Sequence, residues 1–162
     1  MNTDRIEKKI LLHAPRKRVW RALADSKEFG YWFGVTIDGP FTPGASIQGM
    51  ISGTAVDAEV AAAQRPHQGK PFEIIIEQME PEKTFSFRWH PHAIDPGVNY
   101  SAEPTTLVVF ALEDVADGVM LTVTESGFDQ LPFERRATAF AGNDGGWTLM
   151  VQVFAKYVNN TH

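Results

Sequence analysis

Two acids in this chain stand where acids are costly. Glu125 lies on the stretch Val119 to Ser126, where Val119, Leu121, Val123 and Glu125 alternate onto one face of a strand. Asp144 lies in a long helical pattern, between Phe140 and Trp147 on its apolar side. A carboxylate on an apolar face must be paired, hydrogen-bonded or protonated. Two acids that share one interior space can hold a ligand amine or hydroxyl, or move a proton. The competing reading of Glu125 puts it at a strand end, reaching solvent or capping the turn at Gly127. For Asp144 it is a bond to neighbouring backbone. Arg88 is a candidate partner for Glu125, although simple alternation sets it opposite Trp89.

Other chemistry is weaker. His90, His92 and Asp95 form a short run that could ligate a metal, but spacing of two residues through Pro91 is a poor ligand pattern. Loop-packing histidines account for it better, so no metal is expected. The chain has no cysteine, which removes disulfides, Cys-ligated zinc and Cys-ligated iron–sulfur clusters. No serine sits in a nucleophile turn, and there is no glycine-rich phosphate loop. No cofactor is expected, and catalysis is less expected than binding. Trp32, Phe87, Trp89, Tyr100, Phe110, Phe140 and Trp147 supply enough ring surface to line an apolar pocket. Together with Glu125 and Asp144 they are the candidate ligand-binding residues. Aromatic side chains are more often plain core.

The elements that must position these residues begin with Pro132 to Val158, the one long segment of helical period. Phe133, Ala137, Phe140, Asp144, Trp147, Thr148, Val151, Phe154, Ala155 and Val158 share a face, with Leu149 and Val153 opposite. Pro132 suits a first turn, and Glu134 faces the positive end of the helix dipole. Such a helix is roughly 40 Å long at 1.5 Å per residue. Gly145 and Gly146 interrupt it at a cost of up to ~1 kcal/mol each relative to Ala. They allow close packing or a kink, or they make room for a ligand or for Trp147.

Upstream, Arg5 to Leu12 reads as a half-buried strand and Pro15 to Ala24 as a short helix. A second short helix runs through Phe29, capped by Asp25 or Ser26. Ala45 to Ser52, Pro71 to Met79, Thr84 to Trp89, Thr105 to Leu112 and Val119 to Ser126 read as further strands. Gly53 to Gly69, with an Ala-rich run able to form a couple of helical turns, is expected to be a mobile insertion. His90 to Pro104 is a second long connection. The order predicts an α+β fold: a curved antiparallel sheet wrapped around a long C-terminal helix, with two short helices after the first strand.

At 162 residues the chain fits one domain, 1–162. Its 43% hydrophobic and 22% charged content is that of a globular protein. No apolar run is long enough to span a bilayer, and Met1 to Lys9 lacks the apolar stretch of a signal peptide. A cytoplasmic location follows as the default. A formal net charge of -5 without a basic block argues against nucleic acid.

Five motifs stand out: Ile10-Leu-Leu-His-Ala-Pro15 before Val19-Trp20-Arg-Ala-Leu23, then Phe29-Gly-Tyr-Trp-Phe33, Phe87-Arg-Trp-His-Pro91, Leu121-Thr-Val-Thr-Glu-Ser-Gly-Phe128 and Asn143-Asp-Gly-Gly-Trp147. Together they resemble the helix-grip superfamily called SRPBCC or START-like, and the last is the most specific. Within the superfamily the chain looks like the branch related to the C-terminal domain of the activator of heat-shock chaperone ATPase (Aha-type). The resemblance implies a helix-grip fold with an internal cavity, and the fold alone does not fix function. The leading expectation is a small cavity protein, with a stress-related role, that binds a hydrophobic or aromatic small molecule. The second is a co-chaperone-like interaction module with a filled interior, an exposed apolar patch and a chaperone partner. The third is a cyclase or lyase using the cavity acids. A monomer or a homodimer fits each.

Overall fold

The structure, a computed structural model, describes residues 5–91 and 100–160. Strand β1 (Arg5–Leu12) is followed by helices α1 (Arg16–Ala24) and α2 (Ser26–Phe33). Then come β2 (Val35–Ile37), β3 (Ser46–Ile51), helix α3 (Ala58–Gln64), β4 (Pro71–Glu80) and β5 (Thr84–Trp89). The chain finishes with β6 (Thr106–Val115), β7 (Gly118–Ser126) and helix α4 (Phe133–Asn160). The strands form one antiparallel sheet in the order β1-β7-β6-β5-β4-β3-β2. This is the expected α+β helix-grip architecture, with α4 laid against the curved sheet. The sheet has seven strands among the described residues rather than about six, because Val35–Ile37 is too short to show an alternation.

Local chemistry sets the ends of the helices. Asp25 caps α2 by accepting from the backbone N–H of Lys27 at 2.9 Å and of Glu28 at 3.1 Å. α2 runs past Phe29 to Phe33 and stops at Gly34, whose φ of 97° is the left-handed form of a helix C-cap. A Cβ at Gly34 would lie 2.6 Å from the Gln64 amide, so the position is closed to larger residues. Gln64 explains that crowding. Its side chain donates to the Phe33 carbonyl at 2.9 Å and accepts from the Thr54 N–H at 2.7 Å. The Ala-rich run of the expected mobile insertion is therefore a capped helix, α3, joined to the end of α2. Asp57 caps it, and Lys156 of α4 lies 3.5 Å from the Asp57 carboxylate.

The interior is filled with rings. Phe29 meets Trp32, Phe41, Phe85 and Phe87 at centroid distances of 5.0 to 6.3 Å. Trp32 packs on Phe154 of α4 at 4.8 Å and donates its indole N–H to the Ala22 carbonyl at 2.8 Å. Fully burying such side chains contributes about 1.5–3 kcal/mol each. In its C-terminal half α4 buries the expected Trp147, Val151, Phe154, Ala155 and Val158, and elsewhere its buried face departs from the expected one. Phe133 is 82% exposed, whereas Val153, expected on the outer side, is 2% exposed. α4 touches α1 and α2 as well as β1, so more than one side of its C-terminal half is covered. Leu149 stays exposed, as its place on the wheel requires.

Candidate functional site

Glu125 is the centre of the most unusual site in the molecule. Three strands and one helix converge on it. In the register, Glu125 of β7 pairs with Val108 of β6, which puts Thr106 two residues along on the same face. Thr106 in turn pairs with Trp89 of β5. Asn143 and Trp147 are four residues apart on α4, hence on one side of it. The carboxylate is 0% exposed. Its Oε2 accepts from the Trp89 indole at 2.8 Å, the Thr106 hydroxyl at 2.5 Å and the Asn143 amide at 3.1 Å. Its Oε1 accepts from the Trp147 indole at 2.8 Å and from the same Asn143 amide at 2.9 Å. Three of the four partners offer N–H groups that can only donate, the surroundings of an acceptor-only, ionised carboxylate. None of these donors is a cation, so the charge is hydrogen-bonded but not neutralised.

Above this cluster lies an apolar pocket of about 100 Å³, lined by Phe33, Trp89, Asn143, Gly146, Trp147 and Met150. A Cβ at Gly146 would meet no atom within 4 Å. Gly145 also has open space around it, so the glycine pair is not there for close packing.

The nine candidate residues divide. Trp89, Glu125 and Trp147 meet directly. Phe110 lies 5.7 Å from Trp147 and Phe87 5.3 Å from Trp89, both buried beneath the cluster. Trp32 is 6.4 Å from Phe110, deeper in the core. Phe140 packs instead on Phe128 at 5.2 Å. Tyr100 lies in a short turn under the guanidinium of Arg135, 4.8 Å from its ring. Asp144 does not share the space of Glu125. It is at the surface with 46% of its side chain exposed, in a 2.9 Å ion pair with Lys8. The rotation of α4 that turns Asn143 inward carries Asp144 out. Arg88 does not pair with Glu125 either; it binds Glu77 at 3.2 Å on the outer face, as alternation requires. His90 lies 3.1 Å from the Glu103 carbonyl, while His92 and Asp95 fall outside the described residues.

Sequence reasoning left Phe33, Thr106, Asn143 and Met150 out of the site, and it gave Gly146 only as one of two glycines making room for a ligand or for Trp147. Asn143 carried a usable signal, since it precedes Trp147 by one helical turn inside the most specific motif. Thr106 carried none, because only strand register brings it to Glu125.

A curved antiparallel sheet gripping a C-terminal helix defines the helix-grip class. A family model described as Activator of Hsp90 ATPase homolog 1-like protein matches residues 13–159, and the chain belongs to that family. No curated protein matches it. Among solved structures it is similar to DynU16, a protein of the dynemicin biosynthetic locus, at 25% identity and a TM-score of 0.67. That match covers 97% of this chain but 48% of DynU16, so the chain spans about half the length of that relative. Protein MLL2253 from Mesorhizobium loti is 22% identical, with a TM-score of 0.69 and 98% of each chain covered. The Aha1 dimer from Colwellia psychrerythraea is 15% identical, with a TM-score of 0.66 and 96% of each chain covered. The last two likenesses are of fold alone.

Proposed function

We propose that this chain is a non-enzymatic cytoplasmic binding protein, serving a stress-related role, whose ligand inserts a small apolar or aromatic group between Phe33, Trp89 and Trp147. The observation that carries this reading is the pocket itself. Its walls are rings, a thioether and a helix surface pared back to glycine. Its volume, about 100 Å³, admits one small group and no more. Apolar cavities of on the order of 150 Å³ hold benzene. The acid beneath it is sealed at 0% exposure and so cannot touch a substrate. With Asp144 on the surface, a two-acid cyclase or lyase loses its second group.

The test uses the indole N–H resonances of Trp89 and Trp147. Toluene or 3,3-dimethylbutan-1-ol should shift both, saturably, and Gly146→Leu should abolish the shift by filling the pocket. Indole resonances that stay still up to the solubility limit would end this reading.

A second reading has its own support. The ring-filled interior and exposed Leu149 and Tyr31 suit an interaction module that binds a chaperone through its surface. Here the expected result is a faster ATPase rate of an Hsp90-class chaperone on adding the chain. No change in that rate at saturating chain would remove this second reading.

A further inference from the structure

We propose, resting on the pocket reading above, that the Phe33–Trp89–Trp147 pocket is a cage for the methylated head of a small organic cation, with Glu125 as its buried counter-charge. The three ring centroids form a nearly regular triangle. Phe33 to Trp89 is 6.1 Å, Phe33 to Trp147 is 6.0 Å and Trp89 to Trp147 is 5.9 Å. The rings touch one another, inclined by 58°, 56° and 33°, and the pocket opens against the cluster they form. A cation within about 6 Å of an aromatic centroid is attracted by the ring quadrupole, most strongly by Trp.

Two features favour a cation over a neutral group of the same shape. First, both indoles donate their N–H to one carboxylate, at 2.8 Å each. That polarises each ring and makes its face more negative. Second, the carboxylate charge is satisfied only by neutral donors, and no charged side chain lines the pocket. Cations on neighbouring elements are held by other acids: Lys8 by Asp144 at 2.9 Å and Arg135 by Glu103 at 2.7 Å. The field of Glu125 therefore reaches the pocket with little compensation, through a medium of low dielectric. The lining also selects the kind of cation. A primary ammonium brings three donors that need acceptors, and the walls are rings, a thioether and glycine, with one amide whose NH₂ is held by Glu125 and whose single oxygen cannot serve three donors. A quaternary or fully methylated ammonium brings none.

The experiment compares choline with 3,3-dimethylbutan-1-ol, which has carbon in place of the nitrogen and is otherwise the same shape. Each is titrated into the full chain while the Trp89 and Trp147 indole N–H resonances are followed. Choline should bind about ten-fold more tightly than the alcohol, the preference expected of a desolvated cation–π site. Phe33→Leu, which lies outside the Glu125 hydrogen-bond cluster, should weaken choline several-fold more than it weakens the alcohol, because the neutral alcohol loses only apolar contact. E125Q, where it folds, should cut the preference for choline further. If the alcohol binds as tightly as choline, or Phe33→Leu leaves the preference intact, the cation cage is wrong and the apolar pocket stands. If neither ligand moves the indoles, both ideas fall together.

Discussion

Glu125 shows how a fully buried acid can be kept without a cationic partner. Four neutral donors from β5, β6 and α4 replace water around it. Hydrogen bonds to a charged group are worth about 1.5–3 kcal/mol each. Trp89→Phe and Trp147→Phe each remove one of them while keeping a ring. Each should lower stability by about that amount in a urea titration, and the two losses should not add, because both act on one acceptor. Glu125→Gln keeps the shape but points an NH₂ group at N–H donors. It should cost about 2–4 kcal/mol despite being nearly isosteric. A Glu125→Gln midpoint equal to that of the parent would show that the charge contributes nothing to the fold.

The helices carry conflicts that measurement can separate. Gly146 sits mid-helix in α4 with open space at its Cβ position. Gly146→Ala should therefore raise stability by up to ~1 kcal/mol through helix propensity. Gly34 is the opposite case. Its left-handed backbone and the close Gln64 amide make Gly34→Ala destabilising by about 1–2 kcal/mol, read as a lower thermal midpoint. A third contact joins α4 to the short helices. Glu28 of α2 accepts from the Tyr157 hydroxyl at 2.8 Å and from Arg18 and Arg21 of α1 at 2.9 and 2.7 Å. Burial first, and then the bond to Glu28, raise the Tyr157 hydroxyl above its ordinary value of 10.0. The folded state thus favours the neutral phenol. Its contribution is complete below the ordinary value and is lost as pH rises through the raised one. Tyr157→Phe should flatten the alkaline fall of the urea midpoint; an unaltered fall would assign it to other groups.

The molecule as a whole behaves as a sheet closed by one helix. Trp147 joins the two halves, touching Phe33, Trp89 and Phe110 while donating to Glu125. Trp147→Ala should cost roughly 3–5 kcal/mol. We propose that residues 1–162 form one folding unit. Tryptophan fluorescence and far-ultraviolet circular dichroism should then give coincident unfolding curves, whereas separate transitions would mean that α4 detaches before the sheet. Among the described residues no helix is long and apolar enough to cross a membrane.

The elements were legible in the sequence because strands and helices write their own periods. The alternation of Val119, Leu121, Val123 and Glu125 already set the acid inward, and Asp25 marked the start of α2 by its chemistry, whereas the end of α2 at Gly34 came only with the fold. The period of α4 gave its length but not its rotation. Asn143 and Asp144 are adjacent, and a turn of about 100° decides which of them faces Glu125. Only packing against β1, α1 and α2 fixes that turn, so Asp144 was placed inward from the sequence and lies at the surface in the fold. The site follows the same division. The sequence supplied the buried acid and the two tryptophans. Thr106, which has no local mark, joins them through the β5–β6–β7 register, and Phe33 through the end of α2. Those are contacts between residues far apart in the chain, and no local period encodes them.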